Sequence, residues 1–60
     1  MRVLIVDDEP IARQVLREEL ELISGIDIVG EAEDGQSALA MISALKPDLV
    51  LLDLQMPRRG

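Results

Sequence analysis

The stretch "RVLIVDDEP", residues 2–10, joins four consecutive apolar residues, Val3 to Val6, to three consecutive carboxylates, Asp7, Asp8 and Glu9, and then to Pro10. An apolar run without strict alternation is the pattern of a parallel strand buried on both faces. Such a strand ending in like charges that repel one another needs a reason. Either the acids cap a following helix, or they hold a cation.

Working outward, Pro10 suits the first position of a helix, because its missing N–H would have had no intrahelical partner. From Ile11 to Ile23, the residues Ile11, Ala12, Val15, Leu16, Leu20, Leu22 and Ile23 fall on one side of a helical wheel. Arg13, Gln14, Arg17, Glu18 and Glu21 fall on the other, and only Glu19 sits on the wrong face. Gly25 can take the left-handed conformation that follows a last turn. A weaker strand follows at Ile26 to Ala32, where polar side chains suggest a sheet edge. Asp34 is the expected N-cap of a second helix, which ends near Leu45 because Pro47 disfavours helical geometry at Lys46. Its apolar stripe is Ala38, Leu39, Met41, Ile42 and Leu45. A second compact apolar run, Asp48 to Leu52, closes the strand-helix-strand-helix-strand order, with short connections throughout.

Right-handed crossovers then predict a doubly wound parallel α/β sheet with strand order 2-1-3 and one helix on each face. The strand order reverses between the first and third strands, and ligands bind at the carboxyl ends of the strands beside such a switch point. Asp7 and Asp8 end one of those strands and Asp53 follows the other. Adjacent strands lie about 4.8 Å apart, so these carboxylates are expected on one rim. Charges that close raise one another's pKa or demand a cation. Mg²⁺ suits them, since it takes one or two carboxylates and keeps waters that phosphate oxygens can replace, and the start of the first helix adds a favourable dipole. The plainer alternative, that Asp7, Asp8 and Glu9 cap the first helix while Asp53 opens a turn, must explain two independent strands ending in Asp at one switch point.

Composition narrows the chemistry. With 60 residues the chain is expected to hold one domain unit, 1–60, whose unaided core is marginal, because a chain of this size buries only about 60% of its unfolded surface. It has no cysteine and no histidine, so any metal is held by oxygen. A net charge of -6 and the absence of Phe, Trp and Tyr argue against nucleic acid binding through this segment. The opening "MRVLIV" runs straight into "DDE" and is too short for a signal-peptide core or a membrane span; the cytoplasm is the expected location.

Taken together, "VLIVDDEP", "VGEAEDGQSALAMI" and "PDLVLLDLQMP" resemble the receiver domain of two-component response regulators, over all 60 residues. The resemblance implies a flavodoxin-like fold in which Asp53 accepts a phosphoryl group from a histidine kinase or histidine phosphotransfer protein with the help of Mg²⁺. By position it assigns metal-ligating carboxylates to Asp8 and Asp53, a role through metal-bound water to Asp7, and a backbone carbonyl ligand to Gln55. A carboxylate can attack phosphorus to form an acyl phosphate, and the protein contributes positioning and electrostatics. The domain assists its own phosphorylation and turns over no free substrate, so it is not expected to be an enzyme.

The match corresponds to the first half of the family's fold. The Ser or Thr and the Lys that family members bring to the phosphoryl group from later strands are not found in these residues; the only lysine, Lys46, is expected at the opposite end of the sheet from Asp53. Arg58 and Arg59 depart from the family's usual continuation and read as a solvated loop end. Gly30 and Met41 read as packing positions, as does Met56, and Arg13 and Arg17 as members of a solvated face that in the family touches the phosphotransfer partner. A half-fold leaves an apolar strand at a bare edge, so a homodimer is expected of the isolated chain. A structural, self-associating half-fold without signalling is the competing function. A dinucleotide-binding unit is disfavoured, because "DDEP" stands where glycines would have to admit pyrophosphate. The Gln of "DLQMP" gives a faint hint of a DNA-binding output domain in the parent protein.

Overall fold

Val3, Leu4, Ile5 and Val6 are completely enclosed, and in the computed structural model, which describes residues 1–52, they form the middle of a three-stranded parallel sheet. Strand β1 (Arg2–Val6) lies between β2 (Asp27–Ala32) and β3 (Leu49–Leu52), in the order β2-β1-β3. The expected order, direction and edge position of the second strand are therefore all found. Against β3 the register runs without interruption from Val3↔Leu49 to Val6↔Leu52. Against β2 it shifts between Val3↔Ile28 and Leu4↔Gly30, skipping Val29, and resumes to Val6↔Ala32.

Helix α2 (Gly35–Leu45) covers one face. Leu4, Val6, Ala32 and Ala38 form the core there, with Met41, Ile42 and Val50 packed against it. Gly30 belongs to this contact: a Cβ at that position would lie 3.0 Å from Leu45 Cδ1 and 3.2 Å from Leu4 Cδ1. The packing readings of Gly30 and Met41 are thus borne out, while Met56 lies outside the described residues. Alternation along β1 turns Val3 and Ile5 to the other face, where α1 (Pro10–Glu21) rests on β1 and β2 without touching α2.

The helix ends follow their expected chemistry with one difference. Pro10 opens α1, Asp34 caps α2 by accepting the Ser37 amide at 2.7 Å, and Gly25 has φ +85°. Helix α1 closes at Glu21, earlier than the expected Ile23. Leu22 and Ile23 turn back to the carbonyls of Glu19 and Leu20 at 3.2 and 3.0 Å, tightening the last turn, and leave the apolar stripe. Leu22 is 87% exposed, and toward the helix start Ile11 is 74% exposed. The predicted face of α1 is therefore covered only in part, by Ala12, Leu16 and Leu20. Helix α2 ends at Leu45 as expected, with Lys46 in the left-handed region at φ 50°.

The two ends of the sheet differ in chemistry. At the amino end, the Asp48 carboxylate accepts the Arg2 amide at 2.8 Å, and the Arg2 guanidinium donates to the carbonyls of Leu45 and Lys46 at 2.5 and 3.1 Å. This fastens the α2 terminus to the start of β1. The carboxyl end carries the acids.

Candidate functional site: the acidic end of the central strand

Asp7 directly follows β1, and its four polar atoms can be accounted for one by one. Its amide donates to the Ala32 carbonyl at 3.0 Å, extending the ladder with β2 beyond Val6. Its carbonyl accepts from the Arg13 guanidinium at 2.7 Å. Its Oδ1 accepts the Glu9 amide at 2.9 Å. Its Oδ2 is buried and has no hydrogen-bond partner among the described residues. The whole residue is 0% exposed. An unmatched carboxylate oxygen inside a protein is costly, and sites of this kind call for an explanation, a bound ion being one.

For Glu9 and for Asp7 Oδ2 the geometry is not that of a helix cap. The N-cap of α1 is Glu9, extended at φ -102° and ψ 116°, and it makes no side-chain capping bond; no acidic residue lies in the first turn. Asp7 accepts from Glu9 in a tight turn before the helix, which leaves its second oxygen over. Asp8 is exposed beside it. Hard oxygen donors with one buried and one solvent-facing carboxylate fit a divalent cation that retains water. Among the described residues, however, no three acidic side chains converge into a complete ligand set. Asp53 and Gln55, the other two residues expected at the site, lie outside the described residues, as do Arg58 and Arg59.

Lys46 stands where it was expected, at the amino end of the sheet beside Arg2 and away from Asp7. The expectation for Arg13 is corrected. It does not belong to a solvated face: its side chain is 20% exposed and bridges Glu31 Oε1, at 3.2 Å, to the Asp7 carbonyl. Arg17, about half exposed, pairs with the other Glu31 oxygen and with Glu21 Oε2 at 3.3 Å. The hydrogen bond to Glu31, more than any other influence, holds the Arg17 guanidinium above its ordinary pKa. The signal for this cluster was present in β2: Gly30 faces α2, so its neighbour Glu31 must face α1. What periodicity could not give was the reach of Arg13 past Glu31 to the strand end.

With this geometry in place, comparison with known proteins is informative. The family model described as "Response regulator receiver domain" matches residues 3–60. The transcriptional regulatory protein BtsR of Escherichia coli strain K12 is 48% identical over 58 residues, which is 97% of this chain and 24% of that protein. Among solved structures, the signal receiver domain of the putative response regulator NarL from Mycobacterium tuberculosis superimposes with a TM-score of 0.84 at 45% identity, covering 93% of this chain and 45% of that one. The isolated REC domain of RcsB from Salmonella enterica serovar Typhimurium, solved with the phosphomimetic BeF3-, gives a TM-score of 0.86 at 35% identity over 100% of this chain and 44% of its own. The chain thus spans about a quarter of that curated relative and less than half of those solved chains. The acidic strand end, the 2-1-3 sheet and the motifs around it share one family, and the chain belongs to the response regulator receiver domains.

Proposed function

We propose that residues 1–60 are the N-terminal half of a phosphoacceptor module in histidine-aspartate signalling, with Asp53 as the residue that takes the phosphoryl group. The observation that carries this is the buried Asp7 carboxylate, whose Oδ2 has no hydrogen-bond partner among the described residues, at the switch point of a receiver fold. The register supports it: β1 and β3 are in step through Val6↔Leu52, and the next residue of each chain segment is an aspartate, Asp7 and Asp53.

On this reading Asp7, Asp8, Asp53 and the backbone carbonyl of Gln55 hold Mg²⁺, directly or through water. When bound, the ion offsets negative charge on the attacking carboxylate and on the incoming phosphoryl group. An oxygen of Asp53 forms a bond to phosphorus as the phosphorus-nitrogen bond to the donor histidine breaks, and the freed imidazole nitrogen takes a proton from water. The Glu9 amide occupies Asp7 Oδ1, so Oδ2 is the oxygen left unmatched among the described residues. The donor is a histidine kinase or histidine phosphotransfer protein in the cytoplasm, no free substrate is turned over, and a DNA-binding output domain is part of the proposal for the parent protein.

Incubation with acetyl phosphate and Mg²⁺, followed by intact mass, tests the reading. One phosphoryl addition is expected, absent in Asp53→Asn. A folded protein that gains no adduct, or an adduct that persists in Asp53→Asn, rejects it.

A purely structural role is not favoured, since the family is one of signalling domains. Self-association of the sixty-residue chain by itself is a separate matter, and partly uncovered apolar residues of α1 and the edge strand β3, among them Ile11, Val15 and Leu52, support a two-fold pair. Sedimentation velocity on the chain should give a dimer at micromolar concentration. A folded monomer there would refute the pairing and leave the phosphoacceptor reading untouched.

A further inference from the structure

Among the described residues, Arg13 is the cation that reaches the acidic strand end through the backbone of Asp7. Its guanidinium donates to the Asp7 carbonyl at 2.7 Å, and its Nε is held by Glu31 Oε1 at 3.2 Å. Glu31 is itself fixed in β2 and gripped from its other oxygen by Arg17. The arrangement runs from β2 through α1 to the first residue after β1. It ties together the three elements that meet at the turn.

We infer that Arg13 is a positioning residue for the cation site: anchored by Glu31, it clamps the Asp7 carbonyl and thereby holds the Asp7–Glu9 turn in the form that leaves Asp7 Oδ2 unmatched, the oxygen that would serve a cation directly or through water. This rests on the metal-assisted phosphoacceptor reading above. The physical case has two parts. First, Asp7 has its amide, carbonyl and Oδ1 each matched, so rotation of its peptide or its side chain breaks a charge-assisted or backbone hydrogen bond. Among the described residues Oδ2 is the Asp7 polar atom left without a partner, and the clamp is what makes that state the resting one. Second, the positive charge of Arg13 is balanced by Glu31 and meets Asp7 at its backbone. It orders the turn without taking the carboxylate oxygen the cation needs, which a direct Arg-carboxylate pair would occupy.

Partners of metal ligands commonly alter affinity by about ten- to a hundredfold when removed. The test uses Arg13→Met, which keeps the apolar stem, Arg13→Lys, which keeps the charge without the two-sided fork, and Glu31→Gln, which loosens the anchor; all are made in the intact protein. Mg²⁺ affinity is read by titration calorimetry, and amide hydrogen exchange of the 5–13 peptide is read without metal. Arg13→Met should weaken Mg²⁺ about tenfold and speed exchange in that peptide, with α2 peptides unchanged. Glu31→Gln should move both in the same direction by less, and it serves alone if Arg13→Met does not fold. Arg13→Lys should stay weakened. Mg²⁺ affinity within about twofold of the parent in Arg13→Met, unmoved exchange in the 5–13 peptide, or full affinity in Arg13→Lys would each overturn the role. If the parent itself shows no Mg²⁺ heat, the phosphoacceptor reading fails at the metal and the inferred role fails with it. A parent that binds beside an Arg13→Met that binds equally well rejects the clamp alone.

Discussion

The Glu9 amide donates to Asp7 Oδ1 at 2.9 Å, and this bond matches one oxygen of a fully buried carboxylate while the other stays unmatched among the described residues. On the proposed reading the unmatched oxygen serves a cation, and without one it is a burden on the fold. An unmatched buried polar group costs about 1–3 kcal/mol and a charged one more, so replacing the charge by a neutral isostere recovers a difference on the order of 1 kcal/mol. Asp7→Asn should therefore unfold at higher urea than the parent in EDTA, by about that free energy, since its amide oxygen can still accept from Glu9. Urea melts with and without Mg²⁺ check this. A variant that is less stable than the parent in EDTA would show that the carboxylate is satisfied without metal.

Gly30 sets a limit on how closely α2 packs on β2. A Cβ there would meet Leu45 Cδ1 at 3.0 Å and Leu4 Cδ1 at 3.2 Å, and Leu4 is completely enclosed and cannot swing away. Two effects oppose each other in Gly30→Ala. Restricting the unfolded chain favours the fold by about 0.4–1 kcal/mol, whereas overpacking a filled core costs about 1–3 kcal/mol. The second is larger, so Gly30→Ala should be net destabilising by about 1 kcal/mol and Gly30→Val by more. Equilibrium urea denaturation measures both, and a stabilised Gly30→Ala would place the slack in Leu45.

The elements were legible because local and global signals agreed. Val3–Val6 has no polar position and became the enclosed strand; Pro10, Asp34 and Pro47 mark helix ends for reasons internal to the chain. What was misread had a tertiary cause. The periodicity of α1 counts Ile11, Val15 and Leu22 as inward-facing, but a pattern says only which side is apolar, not how much surface lies opposite to cover it. Arg13 was placed with the solvated face by the same wheel, because a long side chain can leave its nominal face when a carboxylate such as Glu31 and an open carbonyl such as that of Asp7 lie within reach. At the site, the sequence marked Asp7 and Asp8 by type and place; that one Asp7 oxygen is taken by a turn and the other is left over depends on a two-residue geometry that no periodicity encodes.

Asp34 gives the α2 start a pH dependence. Its carboxylate accepts the Ser37 amide at 2.7 Å, and this bond above all lowers its pKa from the ordinary value of 3.8. The folded state therefore favours the ionised form more than the unfolded state does. That contribution is complete above the unfolded pKa and is lost as the pH falls through the lower folded one. Asp34→Ala should melt below the parent at pH 7, and the gap should close as the pH is taken below about 4. Circular dichroism melts across that range decide it; a gap that stays constant would assign the effect to something other than the ionised cap.

Cation linkage supplies a prediction that does not depend on phosphorylation. A ligand that binds only the folded state stabilises it by about 2.7 kcal/mol at a hundred times its dissociation constant. Mg²⁺ should therefore raise the melting temperature of the parent in steps that follow its concentration, and EDTA should reverse the rise. Asp7→Asn, already relieved of the unmatched charge, should start higher and respond little, so the two curves converge or cross as Mg²⁺ increases. Sodium chloride at equal ionic strength separates this from screening of the net charge of -6, which would lift both proteins alike. Parallel curves for parent and variant in Mg²⁺ would mean that Asp7 has no part in holding the ion, and the cost of its buried oxygen would then need another cause.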